Sequence, residues 1–312
     1  MSGVQIICFA SCYAIALALE ISRLLFRSTL RGALLVVSAG AGLLAHSAFL
    51  YYSALRSRGA PLSSSQDWYL LAAWVLVVVY LYLLYFRPKT PFGLVLLPLV
   101  LALIGTAHWL ADAQPFAREP ASKVWGVIHG ASILLATVAV LLGFAAGVGY
   151  LAQRWRLKGK RPPPGGLRLP SLEWLERANS HAILLAVGML GIGIISGVIL
   201  NAIRHAEPRD RLPWNDPVVV STLAMFVWLL LAAVVGRVRR SAWQGRRVAW
   251  LTVASFVVLV IALAMMLRAN TQHGGKKTAA KMYPAHSVCR CERHTECAGY
   301  IIPSPCRPGV SA

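Results

Sequence analysis

The chain has 312 residues, of which 57% are hydrophobic and only 13% charged, and its mean hydropathy is +0.62. A soluble domain carries about 25% charged residues, so this composition excludes a water-soluble globular protein. The formal charge of +20 would suit a nucleic-acid binder, but the basic residues fall between the apolar windows, which excludes nucleic acid as a partner.

A bilayer core about 30 Å thick needs about 20 apolar residues per helix. Eight windows meet that need: Val4–Phe26, Gly32–Leu55, Asp67–Phe86, Phe92–Asp112, Trp125–Gln153, His181–Ile203, Pro217–Gly236 and Val248–Leu267. Each reads as an α-helix, because a span in lipid must satisfy its own backbone hydrogen bonds. The expected fold is therefore all-α, a polytopic transmembrane helix bundle of about eight spans in the plasma (inner) membrane. The first window is not a cleavable signal peptide: no basic region precedes it, Glu20 lies inside it and no small-residue cleavage site follows.

The loops give an orientation. Loops 1, 3, 5 and 7 with their flanks hold 17 Lys/Arg, loops 2, 4 and 6 hold 7, and the C-terminal tail holds 7. The positive-inside rule makes the odd loops cytoplasmic and places both termini outside. The longest inner loop, RWRLKGKRPPPGGLRLPSLEWLER, reads as a topogenic anchor near anionic lipid. Trp68, Trp109, Trp125, Trp155, Trp174 and Trp243 fall near span ends, as interfacial aromatic belts do.

Three regions follow. Residues 1–112 form a four-span bundle with short loops. Residues 113–273 form a second four-span domain. Residues 274–312 are a polar tail, expected to be disordered, with Cys289, Cys291, Cys297 and Cys306 at spacings that match neither a zinc site nor a haem attachment motif. In span 1, Cys8 and Cys12 share a helix face and are expected to pack in the apolar interior. Gly143-x-x-x-Gly147 and Gly193-x-x-x-Gly197 are small-residue pairs that let helices approach closely, and read as plain packing.

The histidines carry the chemical signal. His46 lies inside span 2, about 14 Å from its outer end at 1.5 Å per residue. His108, His129, His205 and His273 all fall at the outer face, from four different parts of the chain. Neutral imidazole is a strong ligand for iron, and a haem held from both faces needs two. His129 and His273 flank the second domain at one membrane level, so they can face each other across a porphyrin. The alternative is that interfacial histidines sit among headgroups. Acid–base and nucleophilic chemistry find no support. Glu20 lies close to Arg23 and Arg27, no nucleophile elbow, P-loop or dinucleotide fingerprint is present, and no row of buried charges points to a transporter.

Three segments of the second half resemble the cytochrome c assembly family, the CcsA/ResC-type haem-handling proteins and their HemX-like relatives. WGVIHGASILLATVAVLLGFAAGVGYLAQRWRLKGK resembles the family helix that opens on an outward-facing His and closes in Tyr-Leu-x-Gln before a basic loop. LLAVGMLGIGIISGVILNAI is similar to its Gly-rich helix. NDPVVVSTLAMFVWLLLAAVVGRVRRSAWQGRRVAWLTVASFVVLVIALAMMLRANTQHG resembles the Asp-Pro start, the Gly-Arg-Arg turn and the last helix ending in His. The resemblance covers about residues 125–274, and residues 1–112 match only in hydropathy. The family's Trp-rich external loop is degenerate here. Trp214, Asp216 and Pro217 are what remains, Val218 and Val219 stand at its Lys and Glu positions, and Phe226 stands at a later Trp position.

The resemblance implies haem b held by His129 and His273 as iron ligands, with Trp214, Asp216 and Pro217 from the haem loop and Trp125 beside it. His46 is a candidate transmembrane ligand for haem in transit, outside the matched stretch. It implies as partners a companion cytochrome c biogenesis membrane protein and apocytochrome c, and a role in presentation or export of haem on the outer face rather than catalysis by this chain alone. The other reading is a HemX-like regulatory or scaffolding subunit linked to tetrapyrrole synthesis.

Overall fold

The computed structural model describes residues 2–23, 30–56, 64–88, 90–111, 123–159, 170–203, 216–238 and 244–268. These form eight helices: α1 (Ser2–Ser22), α2 (Leu30–Arg56), α3 (Ser65–Phe86), α4 (Gly93–Trp109), α5 (Lys123–Lys158), α6 (Leu172–Ile203), α7 (Pro217–Val238) and α8 (Gln244–Arg268). Six of them, α2, α3 and α5 to α8, are long and apolar enough to cross a bilayer, while the apolar parts of α1 and α4 are shorter. Large side chains such as Leu34, Val37, Leu44, Ile195, Leu231 and Val257 point outward. An aqueous protein would hide that much apolar surface; here it faces lipid, and the chain is a multi-pass membrane protein of helical architecture.

Local sequence sets the helix ends. At the start of α3 the Ser64 hydroxyl accepts the Asp67 amide at 3.2 Å, and the Asp67 carboxylate accepts the Ser64 amide at 3.2 Å, a reciprocal capping box. Ser53 donates to the same carboxylate at 3.1 Å, which ties the end of α2 to the start of α3. At the start of α7, Asp216 accepts the Val218 amide at 2.8 Å, and Pro217 occupies the first helical position, where its missing N–H costs nothing. α5, with 36 residues, is about 54 Å long at 1.5 Å per residue. It overruns the hydrocarbon core at the end that carries Arg154, Arg156 and Lys158.

Helices α1 to α4 pack as a group. A Cβ on Gly42 would lie 2.6 Å from Tyr13 Cε1, so α1 and α2 meet in close contact there. Phe9 stacks on His46 with ring centroids 4.2 Å apart. Glu20 is buried and paired with Arg23: Arg23 Nη1 reaches its two carboxylate oxygens at 3.1 and 3.2 Å, and the Tyr80 hydroxyl donates to it at 3.0 Å. Arg23 also donates to the Pro88 carbonyl. That one cluster ties α1, α3 and the α3–α4 turn. Arg27 lies outside the described residues. The expectation for the span 1 cysteines is corrected for Cys8, which is exposed; Cys12 is half-buried, its Cβ 3.0 Å from where a Cβ on Gly42 would stand, at the α1–α2 contact.

Helices α5 to α8 are built on an antiparallel α5–α6 hairpin, the most extensive helix pair in the described residues. α8 crosses α5 where glycine permits it: a Cβ on Gly143 would lie 2.9 Å from Thr252 Cγ2, and one on Gly147 would lie 3.2 Å from the Ala249 carbonyl. The two groups meet at both ends. Trp68 of α3 covers Gly130 of α5. At the opposite end Phe92 packs on Trp174 with centroids 5.6 Å apart, and the Arg87 guanidinium lies 4.8 Å from the Trp174 ring centre. The polar tail lies outside the described residues.

Candidate functional site

The start of α5, the end of α6 and the start of α7 lie at one end of the second group. α8 is antiparallel to α5, since Ala249 faces Gly147 and Thr252 faces Gly143, so its described part ends at Arg268 toward the same end. The basic side chains Arg154, Arg156, Lys158, Arg246 and Arg247 sit at the other end.

His129 is in the second turn of α5, half-buried against α6. Its Nδ1 lies 2.8 Å from the Gly193 carbonyl oxygen. A carbonyl only accepts, so Nδ1 carries the proton, and in the neutral ring the lone pair belongs to Nε2. Iron-bound histidine is commonly set up this way, with its other nitrogen donating to a backbone carbonyl. The imidazole lies flat enough on α6 that a Cβ on Gly197 would stand 2.9 Å from its Cε1 and 3.1 Å from its Nδ1. Trp125 precedes His129 by four residues, on the same helix face and half-buried.

Asp216 is buried and caps α7 through the Val218 amide. Pro217 follows as the first residue of that helix. Trp214 and His273 lie outside the described residues. The structure thus brings His129, Trp125, Asp216 and Pro217 to one end of the α5–α8 group.

His46 is elsewhere. It sits in α2, fully buried, stacked on Phe9, with its Nδ1 3.4 Å from the Tyr13 hydroxyl. Its Nε2 is buried without a hydrogen-bond partner. α2 packs on α1 and α3, whereas His129 stands on α5 and turns toward α6.

Among the described residues no three His, Cys, Asp or Glu side chains converge as a metal site. A bis-His haem does not need that, since the porphyrin supplies the other four nitrogens and each face takes one imidazole. The donor chemistry at His129, a ring nitrogen with its lone pair fixed by a backbone contact, fits such a group. Sequence reasoning missed the residues that create this fit. Gly193 and Gly197 read as a generic packing pair, and nothing marked them as the surface under His129. The signal was their level, since α5 and α6 form a hairpin whose open end holds both the histidine and the glycines.

Residues 42–269, well over half of the chain, match the family described as Cytochrome C assembly protein. The match begins within α2, so it takes in α3 and α4 as well as the stretch after Trp125, and includes His46. The chain is similar to a protein named Cytochrome c biogenesis protein CcsA from Thermosynechococcus vestitus, 27% identical over 224 residues that cover 58% of this chain and 67% of that protein. A protein of the same name from Synechococcus sp. (strain CC9605) is 26% identical over 174 residues, 49% of this chain and 55% of that one. An uncharacterised 28.8 kDa protein of Azospirillum brasilense is 27% identical over 171 residues, 54% of this chain and 60% of that one. The matches cover 55% to 67% of these relatives' own lengths.

Proposed function

The chain belongs to the cytochrome c assembly protein family, and from that premise we propose that it is a membrane haem-handling protein that takes part in cytochrome c assembly. Haem is its cargo. His129 and His273 would hold the iron from the two faces, at the outward ends of α5 and α8, beside the segment that joins α6 to α7. Trp125 and Trp214 would cover the porphyrin edges, and Asp216 with Pro217 would anchor the joining segment by starting α7. The positive-inside rule puts this end outside, opposite the basic ends of α5 and α8. With no bond-making group evident among the described residues, the chain would present or export haem to partners rather than attach it alone. Those partners would be a companion cytochrome c biogenesis membrane protein and apocytochrome c.

The observation that carries this reading is the 2.8 Å contact between His129 Nδ1 and the Gly193 carbonyl, which prepares Nε2 for a metal. The test is the absorption spectrum of the purified full chain in detergent, as isolated and after addition of haemin. A bis-His haem spectrum is expected in the wild type and lost in both His129→Ala and His273→Ala. A wild type that stays colourless with added haemin overturns the reading.

One observation favours a HemX-like regulatory or scaffolding role instead. Where the family's loop has Lys and Glu, this chain has Val218 and Val219 in the first turn of α7, and the Asp216 carboxylate is used to cap that helix. A wild type that takes up no haemin supports this second role.

A further inference from the structure

Gly193-x-x-x-Gly197 has the sequence of a helix-packing pair, yet the side chain it admits most closely is an imidazole. Gly197 has no room for a methyl group because His129 Cε1 would stand 2.9 Å from it. Gly193 is also tight, with Ile133 Cγ1 3.2 Å from its would-be Cβ, and its carbonyl receives His129 Nδ1 at 2.8 Å. The buried Ser196 hydroxyl donates to that same carbonyl at 2.9 Å. Gly188, on the same helix, has open space where its Cβ would be. The close approach is therefore local to one stretch of α6.

We propose that Gly193, Ser196 and Gly197 form a seat that positions His129 and sets its ligand strength. Gly197 fixes where the ring lies. The Gly193 carbonyl fixes the tautomer. Ser196 tunes the contact: its hydroxyl draws on the electron density that the carbonyl offers to the Nδ1 proton. A weaker hydrogen bond at Nδ1 makes Nε2 a weaker donor to a metal, so Ser196 moderates His129 as a ligand. A ligand that must later release its cargo benefits from that restraint. The use of the seat for haem rests on the proposed function above, whereas its existence does not.

The test separates the two. Haem-free full-length protein in detergent, with ¹⁵N-labelled histidine, is examined by NMR, the His129 signals being identified by their loss in His129→Gln. The proton is expected on Nδ1, and its resonance is expected to move downfield in Ser196→Ala as the bond to Gly193 strengthens. A proton on Nε2, or a resonance that Ser196→Ala does not move, overturns the proposal. Diethyl pyrocarbonate labelling resolved by peptide mass spectrometry gives the position of the ring. Gly197→Ala is expected to raise the labelling rate of His129 several-fold, with Gly188→Ala as wild type. Equal rates in the two variants overturn it. Haemin titration then reads the consequence, a loss of affinity on the order of tenfold in Gly197→Ala. If the NMR and labelling results hold while even the wild type takes up no haemin, the seat stands and the haem reading falls.

Discussion

His46 and His129 both lie within helices of the same bundle, but they are held in opposite ways. His46 is enclosed by α1 and α2, stacked on an aromatic ring, with one nitrogen left unpaired. His129 is only half-buried, near a helix end, and its Nδ1 is engaged by a backbone carbonyl. Packing holds the first and leaves its chemistry unspecified. Hydrogen bonding specifies the second. The surrounding helices follow the same division. In α1 to α4 the polar groups close on one another, as with Glu20, Arg23 and Tyr80. At the end of α5 to α8 the Gly193 carbonyl gathers His129 Nδ1 and the Ser196 hydroxyl.

The largest expected effect breaks the closed side of that comparison. Arg23→Ala leaves the buried Glu20 carboxylate with Tyr80 but without its cation. Removal of one partner of a buried pair costs about 3–5 kcal/mol. Unfolding of the full chain in detergent measures this. The exposed pair Glu173–Arg177, with both side chains more than 70% accessible, supplies the control, since such surface pairs contribute about 0–1 kcal/mol. If Arg23→Ala costs no more than Arg177→Ala, the Glu20 cluster does not close the first group.

The next effect sharpens the contrast between the histidines. His46→Ala removes a ring stacked in a dry core and is expected to cost about 2–4 kcal/mol through the cavity it leaves. Its haem spectrum should match that of the wild type. His129→Ala should do the reverse, with a small change in unfolding and loss of the spectrum. Should His46→Ala alter the spectrum while the protein remains folded, His46 serves as a ligand after all, and α1 and α2 must part to expose it.

Much of this architecture was legible in the sequence, because helix-length apolar windows have few alternatives in a bilayer. The eight windows correspond to eight helices, and the Glu20–Arg23 pair was visible from its spacing. Orientation around each helix was not legible. In water an apolar stripe marks the buried face, but in lipid both faces are apolar, so the i,i+4 spacing of Cys8 and Cys12 gave a shared face without saying which way it looks. The seat of His129 was hidden for a related reason. A Gly-x-x-x-Gly pair reads the same whether a leucine or an imidazole fills it, and only the register of α5 against α6 decides. The place of His129 near one end of α5 was legible from its apolar window, whereas its tautomer depends on a carbonyl 64 residues away in sequence.

The smallest expected effect asks whether the two helix groups share anything beyond hydrophobicity. In the first, Trp74 Nε1 donates to the Ser47 hydroxyl across α2 and α3 at 2.8 Å; in the second, Trp228 Nε1 donates to the Ser255 hydroxyl across α7 and α8 at 3.0 Å. Each pair bridges neighbouring helices by a single indole N–H. Interhelical hydrogen bonds in membranes contribute about 0.6 kcal/mol on average, because the unfolded chain in lipid finds partners too. Ser47→Ala and Ser255→Ala should therefore each lower unfolding stability by about that amount, equally in the two groups. A clear inequality would be the informative result. Each serine hydroxyl also donates one turn back, Ser47 to the Leu43 carbonyl and Ser255 to the Leu251 carbonyl, both at 2.8 Å, so a larger cost at Ser255 would mean that the α7–α8 pair is braced more firmly, as the proposed haem site between helix ends requires. A larger cost at Ser47 would place the bracing in α1 to α4 and leave the second group able to adjust around the proposed haem.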